Sequence, residues 1–488
     1  MSDELSAAAR SRRCLAGSVL GIVVLCLASY GRFLSIGLVG HDSYPIIAAS
    51  RVHSFEELAG TFTEQLMDGR FEQQYYRPVL NLTVALDEGI SGLDPRGYQL
   101  SNLLWFIATA LALYALVYRL AGEDRRAALL ASVVYLLHVA HGVVVPVVSR
   151  RPETLCTLFL ALTLRAQLQA TRRGRPSLAP AALALLAMGS KEPGFLAVPL
   201  AVLVAAVYRP RAALAPWLRG LARDVAPVLV AGGAAFAVRA LVLGGLGGPP
   251  GAALSQLPLA ASFVAVLFPQ PFMPRSANAL AIALVLAVVL ASLAGLRRVP
   301  ASAAAGRAIG VALAWAAGTA TLYAFTGQIE PWYLALPWAG VAMGIGVVGS
   351  MLWSRFRTSS GGVRATAVVG LTALSMLVGW QLRYSVLLHD YDEWRRADRE
   401  LRDCLDDLTP RLAAATPGTI VRTRPVAPWI RGLAGAPTLE GAAVIHDYGL
   451  QAWADLRFGD RSVRVLSSDQ IANARADEVT LVPVWKLP

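Results

Sequence analysis

The feature that most constrains the fold of this chain is a series of apolar runs of about 20 residues, separated by short segments that contain arginine. A helical run of that length matches the hydrocarbon thickness of a bilayer. The 488 residues are 56% hydrophobic and 16% charged, whereas about a quarter of an ordinary soluble domain is charged. These properties predict an all-α polytopic membrane protein.

About eleven runs are predicted to cross the membrane. They cover residues 15–36, 98–120, 127–147, 153–170, 177–190, 194–208, 225–243, 277–296, 306–325, 332–351 and 365–388. Most arginine-rich turns between them fall on one side, and cytoplasmic loops carry an excess of such residues. The N-terminus has arginines before its first run, so it is predicted to be cytoplasmic, as an uncleaved signal anchor.

The formal net charge of +12 is explained by these turns and does not indicate a nucleic-acid partner. Only Lys191 and Lys486 are lysines, so nearly all cationic side chains are arginines. This usage, with many alanine, glycine and leucine residues, is typical of a GC-rich genome and predicts the inner membrane of a bacterium. The four cysteines show neither metal-ligand spacing nor an evident disulfide pairing.

A polar stretch at residues 37–97 follows the first run and is predicted to be a large extracytoplasmic loop. Within it, Ser54 and Glu57 have the spacing of a capping box. Apolar residues then recur at helical spacing as far as Met67, which predicts an amphipathic helix at the membrane interface. Residues 79–91 are predicted to form a second interfacial helix.

The last hundred residues change in character, which predicts a membrane domain at 1–388 and a small α+β domain at 389–488. The span count places this second domain outside the cytoplasm. Its predicted elements are helices at 391–412 and 439–457 and strands at 419–423, 462–466 and 479–485.

A histidine and a carboxylate, His41 and Asp42, open the extracytoplasmic loop. A general base must lie near the proton that it removes and must be oriented by its neighbours. Asp42 can serve in this way for a hydroxyl or amide acceptor, with His41 as an orienting or proton-relay group. The alternative is that Asp42 is a solvated loop residue or a helix cap.

Tyr76-Arg77-Pro78 stands later in the same loop, directly before the second predicted interfacial helix. The planar guanidinium group of arginine matches the geometry of phosphate, and a tyrosine hydroxyl adds a donor. This segment can therefore hold a lipid phosphate. The alternative is an aromatic belt at the membrane interface with a snorkelling arginine.

The outer end of the predicted span at 127–147 is followed by Arg150 and Arg151, against the charge bias seen elsewhere. These arginines are candidates for binding the same anion, or belong to an exposed turn. His138 and His141 lie three residues apart within the run and can bind a metal or pack between helices.

Two further groups of polar residues lie at predicted outer boundaries. Lys191-Glu192 stands where ionisable groups are functional candidates, although a local ion pair that caps a helix turn is the alternative. Glu330 and Tyr333 can line a pocket or belong to an interfacial belt.

Taken in order, these motifs resemble the GT-C superfamily of integral-membrane glycosyltransferases. The nearest likeness is to bacterial relatives of the transmembrane O-mannosyltransferases with tetratricopeptide repeats. The motifs that carry it are His41-Asp42, Tyr76-Arg77-Pro78, Gly97-Tyr98-Gln-Leu100-Ser-Asn102, His138 to His141 with Ser149-Arg150-Arg151, Lys191-Glu192 and Glu330-Pro-Trp-Tyr333-Leu-Ala-Leu-Pro337.

The resemblance implies inverting transfer of a sugar from a polyprenyl-phosphate donor, on the extracytoplasmic face, to a glycan, lipid or protein acceptor. It implies that Asp42 is the base and that Arg77, Arg151 and Lys191 hold the leaving phosphate, with Tyr76 and Arg150 beside them. Such cations stabilise charge that develops on the departing group, so a divalent metal is possible but not indicated.

Other functional classes remain open from the residues alone. A transporter or lipid flippase is the main alternative, and it is expected to show internal repeats and ionisable residues near the middle of the membrane. Most candidate residues here lie at predicted outer boundaries, which favours an enzyme. A membrane anchor that presents the C-terminal domain to partners is a third possibility.

Overall fold

The chain forms a bundle of apolar helices. The computed structural model describes residues 2–40, 42–69, 75–245, 287, 290, 303–325, 330–388, 392–416, 420–422, 447–459 and 464–466. Apart from a pair of three-residue strands, the regular elements in these ranges are helical. Three predictions lie outside the described residues: the span at 277–296 apart from residues 287 and 290, the strand at 479–485, and the role of His41.

The described helices are numbered in chain order. Helices α1 to α8 are Ser2–Tyr30, Ser43–Ala49, Phe55–Gly60, Pro78–Ser91, Pro95–Leu120, Arg125–Leu136, His141–Val144 and Arg151–Arg173. Helices α9 to α16 are Ala179–Ser190, Ala197–Tyr208, Leu214–Leu243, Ala303–Ala324, Ala335–Thr358, Gly361–Tyr384, Asp392–Ala414 and Asp447–Phe458. Short 3₁₀ turns cover Gly31–Ser35, Leu66–Gly69, Val148–Arg150, Glu192–Leu196 and Pro331–Leu334.

Five helical stretches in the described ranges are long and apolar enough to cross a bilayer. They are Arg13–Ser35, Pro95–Leu120, Leu214–Leu243, Pro331–Thr358 and Gly361–Tyr384. The prediction of an all-α integral membrane protein is therefore confirmed. The total of about eleven spans stays a prediction, because several of the other predicted spans correspond to shorter helices.

The predicted span at 127–147 is broken into short pieces in the structure. Helix α6 ends at Leu136, and α7 begins only at His141. The ring nitrogen Nδ1 of His138 accepts a hydrogen bond from the backbone N–H of Ala140 at 3.4 Å, and such local bonds compete with helix continuation. Pro146 then provides no N–H to extend α7.

Small residues let the central helices approach closely. Helix α13 packs against both α6 and α12. A side chain added at Gly346 would collide with the backbone of Ala127 in α6, and one added at Gly340 would lie 2.7 Å from backbone atoms of α12. Close backbone approach through glycine is typical of helices packed in membranes.

The loop between α1 and α5 folds over one end of the bundle. The predicted cap at Ser54 is present, because its hydroxyl accepts the N–H of Glu57 at 3.1 Å. The amphipathic helix is shorter than predicted, since α3 ends at Gly60. Leu66 and Met67 are consequently buried in the fold, whereas Phe55 at the start of α3 is 85% exposed.

Residues after the last candidate span pack onto this loop. The helix predicted at 391–412 is present as α15, and its apolar face is buried. That face comprises Trp394, Leu401, Leu405, Leu408 and Leu412. Its Asp398 accepts a hydrogen bond from the backbone N–H of Gly37 at 2.8 Å. Strands β1 (Ile420–Arg422) and β2 (Arg464–Leu466) pair in parallel, and α16 between them packs against α2. The domain boundary at residue 389 remains a prediction.

Candidate functional site

A polar cavity of about 220 Å³ lies between the loop and the ends of the bundle helices. Its wall contains three cations and two carboxylates amid apolar and aromatic side chains. The lining residues are Asp42, Ile46, Leu66, Met67, Tyr75, Arg77, Ser149, Arg150, Pro152, Glu153, Lys191, Trp332 and Tyr333. Segments far apart in the sequence thus meet at one place.

Asp42 reaches the cavity from the first turn of α2. The chain turns at Gly40, whose φ of +97° is a conformation that favours glycine. Asp42 occupies the N-cap position of α2, but its carboxylate makes no capping hydrogen bond to the described first turn. The side chain is half-buried and lines the cavity instead. The interpretation of Asp42 as a helix cap is therefore not supported.

Arg77 enters the cavity wall through a two-pronged ion pair with Glu192. Its Nε and Nη2 atoms donate to the two carboxylate oxygens at 3.1 and 2.7 Å. Burial alone would lower the pKa of the Arg77 guanidinium, but the Glu192 carboxylate raises it above its ordinary value. Burial alone would likewise raise the pKa of Glu192, but the adjacent cations, Arg77 foremost, lower it to about 2. Both groups are therefore charged at neutral pH.

A second cation, Arg239 of α11, lies against the same carboxylate. Its Nη1 atom is 3.8 Å from Oε1 of Glu192. The sequence showed Arg239 inside an apolar run, where a charged side chain needs a partner. That partner is Glu192, which lies between two guanidinium groups and holds Arg77 in place.

Lys191 is held at the cavity by Glu153, the third residue of α8. The Lys191 ammonium donates to one carboxylate oxygen of Glu153, and the hydroxyl of Tyr323 donates to the other at 2.5 Å. The ammonium also lies 4.9 Å from the centre of the Tyr333 ring. Burial lowers the pKa of Lys191, and the Glu153 carboxylate opposes that shift by favouring the charged form.

Arg150 lies flat against an aromatic ring. The central carbon of its guanidinium is 3.8 Å from the centre of the Trp332 ring, and Nη1 donates to the carbonyl oxygen of Val143 at 3.0 Å. Burial lowers the pKa of Arg150 to about 10, while the nearby carboxylates of Glu330 and Asp42 oppose the change. The group stays cationic at neutral pH and lies within electrostatic range of Asp42.

Arg151 does not line the cavity, although the resemblance assigned it to the leaving phosphate. Its guanidinium is fully engaged elsewhere: Nε donates to Asn102 at 2.7 Å, Nη1 to the Thr83 carbonyl at 3.1 Å, and Nη2 to Asp87 at 2.5 Å. The side chain is completely buried. These contacts tie α8 to α4 and α5, so the placement favours a structural part for Arg151.

Three further candidates, Tyr76, Glu330 and His138, are not among the lining residues of the cavity. The Tyr76 hydroxyl donates to the Phe62 carbonyl at 2.9 Å and closes the loop. Glu330 precedes the 3₁₀ turn that carries Trp332 and is a charge partner of Arg150. His138 is buried and stacks on Trp338, with ring centres 4.1 Å apart, so it packs between helices.

Three lining or supporting residues were not among the sequence candidates. Glu153, Trp332 and Tyr323 each touch a cation of the cavity. Glu153 follows Arg151 by two residues in the sequence, and a carboxylate at the start of a membrane helix is itself an indication of function. Tyr323 lies 170 residues from Glu153, the carboxylate to which it donates, and its part could be found only from the fold.

The described residues do not include a group of three or more histidine, cysteine, aspartate or glutamate side chains that could hold a metal ion. His138 and His141 pack against each other, with ring centres 6.0 Å apart. The cavity lining combines three cations with the Asp42 carboxylate, an arrangement that can bind an anion next to a group that accepts a proton.

Comparison with known proteins gives structural similarity only. No protein-family model matches the sequence, and a search of curated proteins finds no significant match. The crystal structure of ArnT from Cupriavidus metallidurans, bound to undecaprenyl phosphate, is similar at 14% identity and a TM-score of 0.47, over 94% of this chain and 91% of that one.

An oligosaccharyltransferase from Archaeoglobus fulgidus, tethered to an acceptor peptide, is also similar. The identity is 11% and the TM-score 0.43, over 92% of this chain and 63% of that one, so the chain spans less than two thirds of its length. Because both TM-scores lie below 0.5, the function proposed below rests on contacts within this chain and not on these similarities.

Proposed function

We propose that this protein is a GT-C-type membrane glycosyltransferase that moves a sugar from a polyprenyl-phosphate donor to an acceptor on the extracytoplasmic face. The observation that carries the proposal is the cavity in which Asp42 meets Arg77, Arg150 and Lys191. A carboxylate beside three cations is the charge arrangement that displacement of a phosphate by a hydroxyl or amide requires.

In the proposed reaction, Asp42 is the general base. The acceptor oxygen or nitrogen attacks the anomeric carbon of the donor while its proton passes to the Asp42 carboxylate. A bond forms between the acceptor and the sugar, and the bond between the sugar and the phosphate oxygen breaks. The electron pair of that bond leaves with the lipid phosphate, and the configuration at the anomeric carbon inverts.

The three cations of the cavity are proposed to bind the phosphate as its negative charge increases. Two of them, Arg77 and Lys191, are already oriented by Glu192 and Glu153, so little reorganisation accompanies the reaction. Arg150 is fixed by the Trp332 ring. Cations held before the substrate arrives stabilise developing charge better than mobile ones.

Membrane placement supports a lipid-linked donor. The loop that carries Asp42 directly follows the candidate span Arg13–Ser35, and Trp332 and Tyr333 lie at the start of the candidate span Pro331–Thr358. The cavity therefore lies near the level at which spans end, where the phosphate of a membrane lipid is found. The extracytoplasmic side follows from the predicted orientation of the N-terminus.

The proposal is tested with purified protein and synthetic polyprenyl-phosphate sugars, each labelled in the sugar, in the presence of a membrane extract that supplies acceptors. Labelled product and released polyprenyl phosphate are expected in equal amounts, and nucleotide sugars should not replace the donor. A protein that moves the intact donor across proteoliposome membranes without releasing phosphate would instead be a flippase, and the proposed chemistry would be rejected.

Glu153 is proposed as a positioning residue that acts through Lys191. Substitution Glu153→Gln keeps a side chain of the same size but removes the charge that favours the lysine cation. We expect the pKa of Lys191 to fall further, so that activity declines at a lower pH on the alkaline side of its profile. The profile of kcat/KM against pH is the measurement.

Glu123→Gln is the matched control for this variant. Glu123 pairs with Arg119 on the surface, where its side chain is 55% exposed. Its substitution should leave the profile of kcat/KM against pH the same as in the parent protein. If Glu153→Gln lowers the amount of folded protein but leaves the alkaline limb in place, Glu153 has only a structural part.

A further inference from the structure

A second cavity, of about 960 Å³, lies apart from the candidate active site and shares none of its lining residues. Its wall includes three arginines and three aliphatic side chains. These are Arg32, Arg96, Arg402, Leu34, Ile36 and Leu100. No part of the proposed transfer reaction uses this cavity.

The ends of three candidate spans place the cavity at the edge of the membrane. The span Arg13–Ser35 ends in its wall and the span Pro95–Leu120 begins there. Arg32 donates from Nη2 to the carbonyl oxygen of Leu387 at 3.3 Å, just after the span Gly361–Tyr384 ends. All three ends lie on the same side as the loop that carries Asp42.

The charge of the wall favours an anion. Among the described lining residues, one carboxylate, Asp94, stands against the three arginines, and its Oδ1 accepts the backbone N–H of Arg96 at 3.0 Å. The cavity also faces the first turn of α5, where the backbone N–H groups add partial positive charge. Arg402 is held in position by the carbonyl of Ser35 at 3.0 Å and by Asp398.

Apolar surface adjoins this positive charge. Leu100 is 48% exposed, and Leu34 is half-buried beside it in the cavity wall. A wall that combines arginines with aliphatic side chains, at the ends of candidate membrane spans, matches an amphiphile that has an anionic head and hydrocarbon chains.

We propose that this cavity binds the phosphate head group of an anionic membrane phospholipid. The lipid would bring Arg32 of the membrane bundle, Arg96 of α5 and Arg402 of α15 onto one phosphate. Because α15 also holds the backbone of Gly37, the bound lipid would fasten the C-terminal segment against the chain that leads into Asp42. This proposal is independent of the chemistry assigned to the first cavity.

The test uses the full-length protein, purified in detergent and depleted of lipid, with phosphatidylglycerol or phosphatidylcholine added back. Native mass spectrometry counts bound lipid, and thermal unfolding reports stabilisation. We expect retained phosphatidylglycerol and a higher Tm, with a weaker effect from phosphatidylcholine. Equal retention of the two lipids would overturn the proposal.

Arg96→Ala is the principal variant because Arg96 is exposed and its loss should not impair folding. Removing one charged contact to the phosphate should weaken phosphatidylglycerol binding by about tenfold or more. Arg96→Lys should restore part of the affinity. Arg383→Ala is the control, since Arg383 lies exposed in the last turn of α14 outside the cavity.

An arm with inorganic phosphate distinguishes the source of the anion. Phosphate alone at millimolar concentration should neither raise the Tm as phosphatidylglycerol does nor displace the bound lipid. If phosphate reproduces the stabilisation in an Arg96-dependent way, the cavity is a site for the free anion and the lipid assignment is wrong. Unchanged lipid binding by Arg96→Ala would also contradict the proposal.

Discussion

Replacing Asp42 with asparagine is expected to lower kcat for sugar transfer by about 10²- to 10⁴-fold, the range that a general base contributes. The amide has nearly the same shape but cannot accept the acceptor proton. Donor affinity should change little, because the cations proposed to hold the phosphate remain. Transfer from a labelled polyprenyl-phosphate sugar, measured at saturating donor, gives kcat, and equilibrium binding of the donor gives affinity.

The structure makes this substitution a clean probe. Asp42 makes no capping hydrogen bond to the described first turn of α2, so asparagine removes no helix cap, and the Tm reports any other loss of stability separately from kcat. Asp407→Asn is a matched control at an exposed carboxylate, which pairs with Arg411 on the surface of α15. Undiminished kcat in Asp42→Asn would remove Asp42 from the proposed mechanism.

Methionine substitutions at the adjacent arginines 150 and 151 are expected to have opposite consequences. Arg150→Met should lower kcat by about 10²- to 10³-fold, the usual effect of removing one group that stabilises developing charge. Its Tm should fall only slightly, because the side chain donates to a neutral acceptor, the Val143 carbonyl, and lies over the Trp332 ring. Transfer assays and thermal unfolding together separate the two effects.

Arg151→Met should destabilise the fold while sparing the activity of the molecules that do fold. It leaves the buried Asp87 carboxylate without its partner, and breaking a buried ion pair in this way costs about 3–5 kcal/mol. The double variant Asp87→Leu, Arg151→Met removes both charges and should be more stable than Arg151→Met alone. If Arg151→Met keeps the Tm of the parent protein but has a strongly reduced kcat, Arg151 takes part in catalysis and the structural role proposed for it is wrong.

The sequence could predict the elements that depend on local pattern. Apolar runs of span length predicted the helical membrane protein, and the apolar spacing in residues 391–412 predicted the helix that the structure contains at Asp392–Ala414. The capping signal at Ser54 correctly predicted the start of a helix, because a helix cap depends only on residues within one turn. The predicted length of the following helix was wrong. The helix ends at Gly60, and Leu66 and Met67 pack in the cavity wall instead of continuing it.

The candidate site was only partly predictable. The motifs drew attention to Asp42, Arg77 and Lys191, and all three line one cavity. They could not decide between Arg150 and Arg151, because consecutive residues at the start of a helix point about 100° apart and the helix orientation is set by its neighbours. Glu153 accepts hydrogen bonds from both Lys191 and Tyr323, and these three residues lie far apart in the sequence. Their roles therefore become visible only in the folded structure.

The sequence by itself was enough to predict that a lipid bilayer surrounds this protein. It was also enough to predict that the candidate ionisable groups collect on one side of the bundle. Both follow from the hydropathy and charge of segments, which are additive along the chain. Only the tertiary structure decided which charges are paired and which face the cavity. A buried ion pair needs atoms within a few ångströms, and that distance is set by helices that are remote in sequence.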